Sequence, residues 1–204
     1  MRVKSPARRE AIIEAACEAF RERGFEAASM TDVSARVGGS KATLYSYFSS
    51  KEELFVAVMM RAAREQAGPI FEAFQKADDL PSGLRRFGRD YLHFMIHPDI
   101  IAIGRMCVAS GEKTGVARAF YDQGIKVAWA QVAERLEQAM AAGELRRADS
   151  WRAAWHIKGL CEAGVVDRRL RGCITEVSDA EIDATVDAAV DVFLRAYLPE
   201  TPSA

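Results

Sequence analysis

Lys41, Ala42, Tyr45 and Ser46 carry the polar chemistry that stands out in this 204-residue chain. Their spacing puts them on one face of a short predicted helix. Leu44 and Phe48, with Tyr47 beside them, form the opposite, inward face. The outer face holds a cation, a methyl group, a phenol and a hydroxyl, with nothing bulky and aliphatic. Such a face suits the DNA major groove, where donors, acceptors and thymine methyls are on display. A solvated face on a helical bundle has the same composition, so the pattern alone leaves both readings open. Lys41 is the cation of this face suited to a guanine edge. Discrimination therefore falls largely to Tyr45, to thymine methyls and to duplex shape.

The elements that must position this face are legible around it. Ser29 followed by Asp32 is a capping-box pattern, and Met30, Val33 and Val37 then share one helical stripe. Gly38-Gly39 stops that helix, and Ser40 caps the next. Ser50 with Glu53 is a second box, which puts Lys51 in the first turn of a further helix. Upstream, Pro6 suits a helix first turn, and a helix is predicted from there to about Arg23. Gly24 ends it, and Phe25 tucks back. Ile13, Phe20, Phe25, Val33, Val37, Leu44 and Phe48 form one small core. A unit of about fifty residues is marginal alone, and Leu54, Phe55 and Val58 are placed to complete it.

The stretch GFEAASMTDVSARVGGSKATLYSYFSSKEELF, residues 24–55, resembles the DNA-binding signature of the TetR/AcrR family of bacterial one-component regulators. The matching features are Gly-Phe, a hydroxyl-rich cap, a Val-x-x-x-Val helix, Gly-Gly-Ser, Thr-Leu-Tyr-x-Tyr-Phe and Lys-Glu-x-Leu. The resemblance implies that Lys41, Ala42, Tyr45 and Ser46 read bases. It also implies that Ser29, Thr31, Thr43, Tyr47 and Lys51 contact phosphates, helped by the helix N-termini at Ser29, Ser40 and Ser50. A core ring beside Phe48 is the rival reading of Tyr47.

The formal charge of −1 argues against a protein that coats nucleic acid. The charge is uneven, however. Residues 1–50 hold eight Lys/Arg against six Asp/Glu, a net +2 that leaves −3 for the rest. Arg2, Lys4, Arg8 and Arg9 form a basic arm, which reads equally as the electrostatic footprint of a DNA reader joined to a helix-turn-helix and as a frayed, solvated terminus. Half of the residues are hydrophobic, and no apolar run approaches a membrane span. The basic N-terminus runs into an amphipathic helix, so a cytoplasmic protein is expected. Cys17, Cys107, Cys161 and Cys173 are scattered with no C-x-x-C pair, which suggests neither zinc nor disulfides.

Beyond residue 50 the chain reads as further helices, about nine in all, with no convincing strand. The helix from Ser50 is expected to kink or break at Gly68-Pro69. Ser82 is expected to cap the next helix, which His97-Pro98 ends. A short apolar helix follows over 99–109, and one long helix is expected from Thr114 to Ala142. Another runs from Asp149 or Ser150 to about Arg171, and a last one from Ser178 to Leu198. His93 and His97 are four apart but lack the glutamate of a zinc-protease motif. Carbonyl capping by His97 is the better reading, and no metal or other cofactor is expected. No nucleophile–base order or glycine-rich loop supports an enzyme.

In the resembling family the second domain encloses an apolar ligand between helices. Met95, Met106, Phe120, Tyr121, Trp129 and Trp155 are the candidate walls here. His156, with His93, Arg105 and Glu162, could orient a ligand. Ordinary core packing competes for each of these residues. Trp151, Gly159 and Ala163, with Val190, Phe193, Leu194 and Tyr197, suggest close helix approach and an apolar face. The family pairs its last two helices across a dimer in this way, and the rival reading is that they cover the chain's own core only. The second domain also resembles the AefR-like subgroup.

The expected protein is therefore all-α, with a helix-turn-helix domain over residues 1–50 and a ligand-binding and dimerisation domain over 51–204. Its expected role is a homodimeric, sequence-specific regulator, released from a palindromic operator by a small apolar ligand. Its expected partners are double-stranded operator DNA, that ligand and a second copy, with no membrane. The rivals are a small-molecule-binding protein or enzyme that retains the helix-turn-helix, and a non-specific nucleoid-type DNA binder.

Overall fold

A computed structural model describes residues 5–110 and 116–199, except the side chains of Glu26, Met106, Ala109, Ser110, Val116 and Ala119. Arg2 and Lys4 of the basic arm lie outside the described residues, as do the side chain of Met106 and the expected helix start at Thr114. The described chain is all-helical. It divides into two compact units, residues 1–63 and 64–204.

The first unit holds α1 (Pro6–Ala27), α2 (Met30–Val37), α3 (Lys41–Tyr47) and the start of α4 (Lys51–Gln75). Ser5 caps α1, with Pro6 at its first position. Gly24, at φ 74°, interrupts the helical path, a conformation that costs glycine little. Phe25 then folds back, its ring 5.8 Å from Phe20 and 4.6 Å from Phe55. Such ring pairs add about 0.5–1.5 kcal/mol each to the area they bury. Ile12, Ile13, Ala16, Val33, Leu44, Phe48 and Leu54 are buried around one centre. On the surface, Arg36 pairs with Glu18 and Glu22, and Arg61 with Glu10 and Glu14. The Glu10-to-Glu22 stripe thus faces arginines of α2 and α4.

The second unit takes the rest of α4, then α5 (Leu80–Ile96), α6 (Pro98–Ser110), α7 (Val116–Phe120), a π-helical turn (Tyr121–Ile125), α8 (Lys126–Ala142), α9 (Ser150–Glu162), α10 (Val166–Leu170) and α11 (Asp179–Tyr197). The five-residue α7 and α10 are the segments beyond the nine or so expected. Leu84, Phe87, Leu136, Ile157, Val186 and Phe193 lie in one core. Gly88 of α5 lies so close to α11 that a Cβ there would meet Val186 Cγ1 at 2.7 Å.

Several local expectations are corrected. Helix α4 continues through Pro69 to Gln75. Proline removes one backbone bond, and Gly68 before it offers no Cβ to the ring, so the flanking helix prevails. The cap of α5 is Asp79, whose carboxylate accepts from Ser82 N at 2.9 Å, in place of Ser82. The expected helix from 150 to 171 stops at Glu162, because Gly164 turns the chain at φ 74° before α10 begins. The expected run to Ala142 carries the π-helical turn at 121–125. Asp149 caps α9, and Ser178 caps α11.

Candidate nucleic-acid interface

The turn between α2 and α3 is built from its hydrogen bonds. Ser34 is buried, and its hydroxyl donates to the Gly39 carbonyl at 2.9 Å. Gly38 takes φ 67°, which favours glycine. Ser40 caps α3 by accepting from Thr43 N at 3.1 Å, and its hydroxyl lies 3.0 Å from that of Thr43. Leu44 and Phe48 anchor the helix in the core at 2% and 1% exposure. Lys41, Ala42, Tyr45 and Ser46 are all exposed, Tyr45 at 49%. The structure therefore brings the four expected reading residues onto one open face. The Ser46 hydroxyl donates to the Thr43 carbonyl at 2.6 Å. While it keeps that bond, the hydroxyl can only accept from a further partner.

The expected phosphate-contact residues divide. Thr31 and Thr43 are exposed. Ser29 is committed to its capping box, donating to Asp32 Oδ2 at 2.7 Å and accepting from Asp32 N at 3.2 Å. The Ser29 hydroxyl and then its amide hold the Asp32 carboxyl below the usual carboxylate range. The Tyr47 phenol accepts from Ser5 N–H at 2.9 Å. The Lys51 ammonium donates to the carbonyls of Phe25 at 2.9 Å and Ala28 at 3.2 Å, and lies 4.4 Å from the Phe25 ring. It is directed onto backbone carbonyls of its own unit. The Ser50–Glu53 box is half-formed. Ser50 accepts from Glu53 N, whereas the Glu53 carboxylate takes the amide and hydroxyl of Ser49, each at 2.7 Å.

Sequence reasoning put Arg8 in the basic arm and missed its bonds to the end of α2. Its Nη1 donates to the Val37 carbonyl at 3.2 Å and its Nη2 to that of Gly38. Arg9 lies 5.1 Å from the centre of the Phe48 ring. An unpaired glycine doublet after a helix, with an arginine early in the preceding helix, was the available signal. Nothing local, however, joins positions 29 residues apart.

In the second unit the described residues among the expected ligand walls fall in different settings. Trp129 is 2% exposed and belongs to the core, edge-on to Tyr91, Phe87 and Phe71. Tyr121 stacks on Trp155 at 6.2 Å and 19°, and Trp155 on Trp129 at 6.4 Å and 23°. Met95 is half-buried against the core, and Phe120 is half-buried on α7. Trp155 and His156 line an open groove of about 430 Å³ with Gly159, Leu160, Val192, Phe193, Ala196 and Tyr197. His156 Nδ1 lies 2.7 Å from the Tyr197 hydroxyl. Of the other polar candidates, Arg105 is spent on the carbonyls of Arg169 and Leu170. Glu162 binds Lys158 and accepts from the buried Tyr91 hydroxyl. Burial, then the Glu162 charge, pushes the Tyr91 phenol well above its ordinary value.

The expected dimer residues also separate. Val190, Phe193 and Tyr197 are buried in the chain's own core at 0%, 0% and 4%, because α11 turns its apolar stripe inward onto α5 and α9. Their expected place on an outer face is corrected accordingly. Gly159 and Ala163 are exposed, and Trp151 and Leu194 half-exposed. Val192, which the apolar pattern did not single out, is 51% exposed beside them. Among the described residues there is no His/Cys/Asp/Glu group placed to hold a metal. No helix among them is long and apolar enough to cross a membrane.

A short capped helix, anchored by two side chains and opening a polar face after a glycine turn, defines a helix-turn-helix DNA-binding regulator with an appended helical domain. The chain belongs to the TetR family of bacterial regulatory proteins. Residues 12–58 match that family's DNA-binding profile, and residues 82–199 match the profile of the AefR-like transcriptional repressor C-terminal domain. The chain is 36% identical over 90 residues to the transcriptional activator FasR of Mycolicibacterium smegmatis, covering 44% of this chain and 41% of FasR. It is 35% identical over 92 residues to the transcriptional repressor AcnR of Corynebacterium diphtheriae, covering 45% and 42%. The match thus spans about two fifths of the length of these curated relatives. Among solved structures, a TetR-family regulator from Mesorhizobium loti superposes with a TM-score of 0.77 at 25% identity, covering 97% of this chain and all of that one. The flavonoid-responsive regulator FrrA gives 0.66 at 31% identity, with the same coverage.

Proposed function

We propose that this regulator binds a near-palindromic operator as a homodimer, acts as a repressor in the cytoplasm, and is released by a small, largely apolar ligand. The open face of α3 carries the reading. Lys41, Ala42, Tyr45 and Ser46 meet base edges, while Thr31, Thr43 and the helix ends around them fix the register on phosphates. Repression is supported by the AefR-like repressor profile over the second unit. The ligand class is supported by two observations. FrrA, similar over nearly the whole chain, is flavonoid-responsive. Tyr121, exposed at 38%, and the half-buried Trp151 and Trp155 gather aromatic surface in the second unit, and such surface suits a planar aromatic molecule. The self-association surface is the outer side of α9 and α11, with Trp151, Gly159, Ala163, Val192 and Leu194.

The test compares affinity for the DNA upstream of the protein's own gene with that for random duplex, at two salt concentrations. The upstream DNA should bind at least about 10³-fold more tightly. Both affinities should fall with salt. Equal affinity for both duplexes would leave a non-specific binder and reject the reading.

A further inference from the structure

We propose that Arg8 is a positioning residue for DNA reading, one that sets the pose of α3 from the first turn of α1. The proposal rests on the reading of α3 given above. Helix α3 has seven residues, too few to hold its own shape in water. Its core anchors, Leu44 and Phe48, lie one turn apart on a single stripe. They fix its depth and leave rotation about that stripe to its ends. The leading end follows two glycines, the softest link a chain can have. The last carbonyls of α2 are also orphans there. The Arg8 guanidinium answers both needs, donating to the carbonyls of Val37 and Gly38.

Gly39 leaves the space for it, since a Cβ at that position would lie 2.7 Å from Arg8 Nη2. The trailing end is held from the same turn. Ser5 N–H donates to the Tyr47 phenol, and the Ser5 hydroxyl accepts from Arg8 N at 3.2 Å. The start of α1 therefore holds the glycine turn that leads into α3 and the last residue of α3. A guanidinium shared by two carbonyls resists rotation in a way that a single donor does not.

The experiment uses the full chain. Wild type first selects duplexes from a randomised library. Wild type, Arg8→Ala, Arg8→Lys, Gly39→Ala and the Arg8→Ala/Gly39→Ala double variant are then titrated against the selected duplex and its single-base-pair variants. Arg8→Ala should cut the ratio of selected to variant affinity by about tenfold, the scale of one lost base contact. Its salt slope should not change, because no phosphate contact is removed. Arg8→Lys should restore part of the ratio, and it carries the test if Arg8→Ala does not fold. Gly39→Ala strains the backbone at φ 157° in both backgrounds but meets Arg8 only where Arg8 is present, so it should cost less discrimination in the Arg8→Ala background than alone. An equal weakening on every duplex, with a shallower salt slope, would make Arg8 a phosphate contact and overturn the proposal. Equal Gly39→Ala losses in both backgrounds would overturn it too. If wild type selected no motif, the DNA reading itself would fall, and the role of Arg8 with it.

Discussion

Tyr45 and Lys41 lie on the exposed face of α3, outside the buried core, and that makes their substitution informative. Tyr45→Ala and Lys41→Ala should each relax discrimination at particular base pairs by about 1–3 kcal/mol. Unfolding should shift by no more than about 0.5 kcal/mol, as for other open surface sites. Competition binding against single-base-pair variants, beside thermal unfolding, checks both. Lys51 is the contrasting case. Its ammonium closes the carbonyls of Phe25, in the last turn of α1, and of Ala28, the cap that follows it. Lys51→Ala should therefore destabilise the protein by about 1.5–3 kcal/mol, the worth of bonds to a charged donor. The salt slope of DNA binding should change little. A shallower slope with an unchanged unfolding midpoint would return Lys51 to the phosphate role that the resemblance implies.

At the scale of elements, close approach between helices sets the limits. Gly88 lets α5 lie against Val186 of α11 and within 3.4 Å of Cys161 Sγ from its would-be Cβ. Gly88→Ala should cost about 1–3 kcal/mol by overpacking. Val186→Ala in the same chain should recover part of this in urea unfolding, and additive losses would place the strain elsewhere. Caps at Ser29, Ser40 and Ser178 were legible because a cap is a bond between residues three apart, which spacing reveals, whereas Asp149 and Ser150 stood as alternatives for α9. The end of α1 at Gly24 and the tuck of Phe25 were legible for the same local reason. The passage of α4 through Pro69 was not, because there the flanking helix and its buried Phe71 and Phe74 outweigh a local rule. Aspartate and serine are both good caps, so 79 and 82 were not separable from type alone. Val190 and Phe193 read as an apolar stripe, and a stripe does not say whether its own chain or a second copy covers it.

For the whole molecule, one recognition helix spans too few base pairs for useful specificity, and a two-fold dimer doubles the site. The selected operator should accordingly be a near-palindrome. Ala163 follows α9, is exposed, and can take a long side chain without disturbing its own fold. Ala163→Arg should halve the mass seen by light scattering at micromolar concentration and lower operator affinity. An unchanged mass would move the self-association surface away from α9. A ligand that releases DNA must bind the DNA-free form better, and a coupling of about 1–3 kcal/mol gives about 5–150-fold. Calorimetric titration of a flavonoid probe with and without operator should show that same factor, as reciprocity requires.

The placement of the indoles makes the molecule its own one-sided optical probe. All three tryptophans, 129, 151 and 155, belong to the second unit. Their rings touch in sequence, Trp151 against Trp155 at 5.8 Å and Trp155 against Trp129 at 6.4 Å. At such separations excitation is shared, so the trio emits as one coupled chromophore. The DNA-reading unit contains no indole and is silent at those wavelengths. Any change in indole emission on adding operator must therefore have travelled out of the unit that holds α3, and its size reports the coupling without a label.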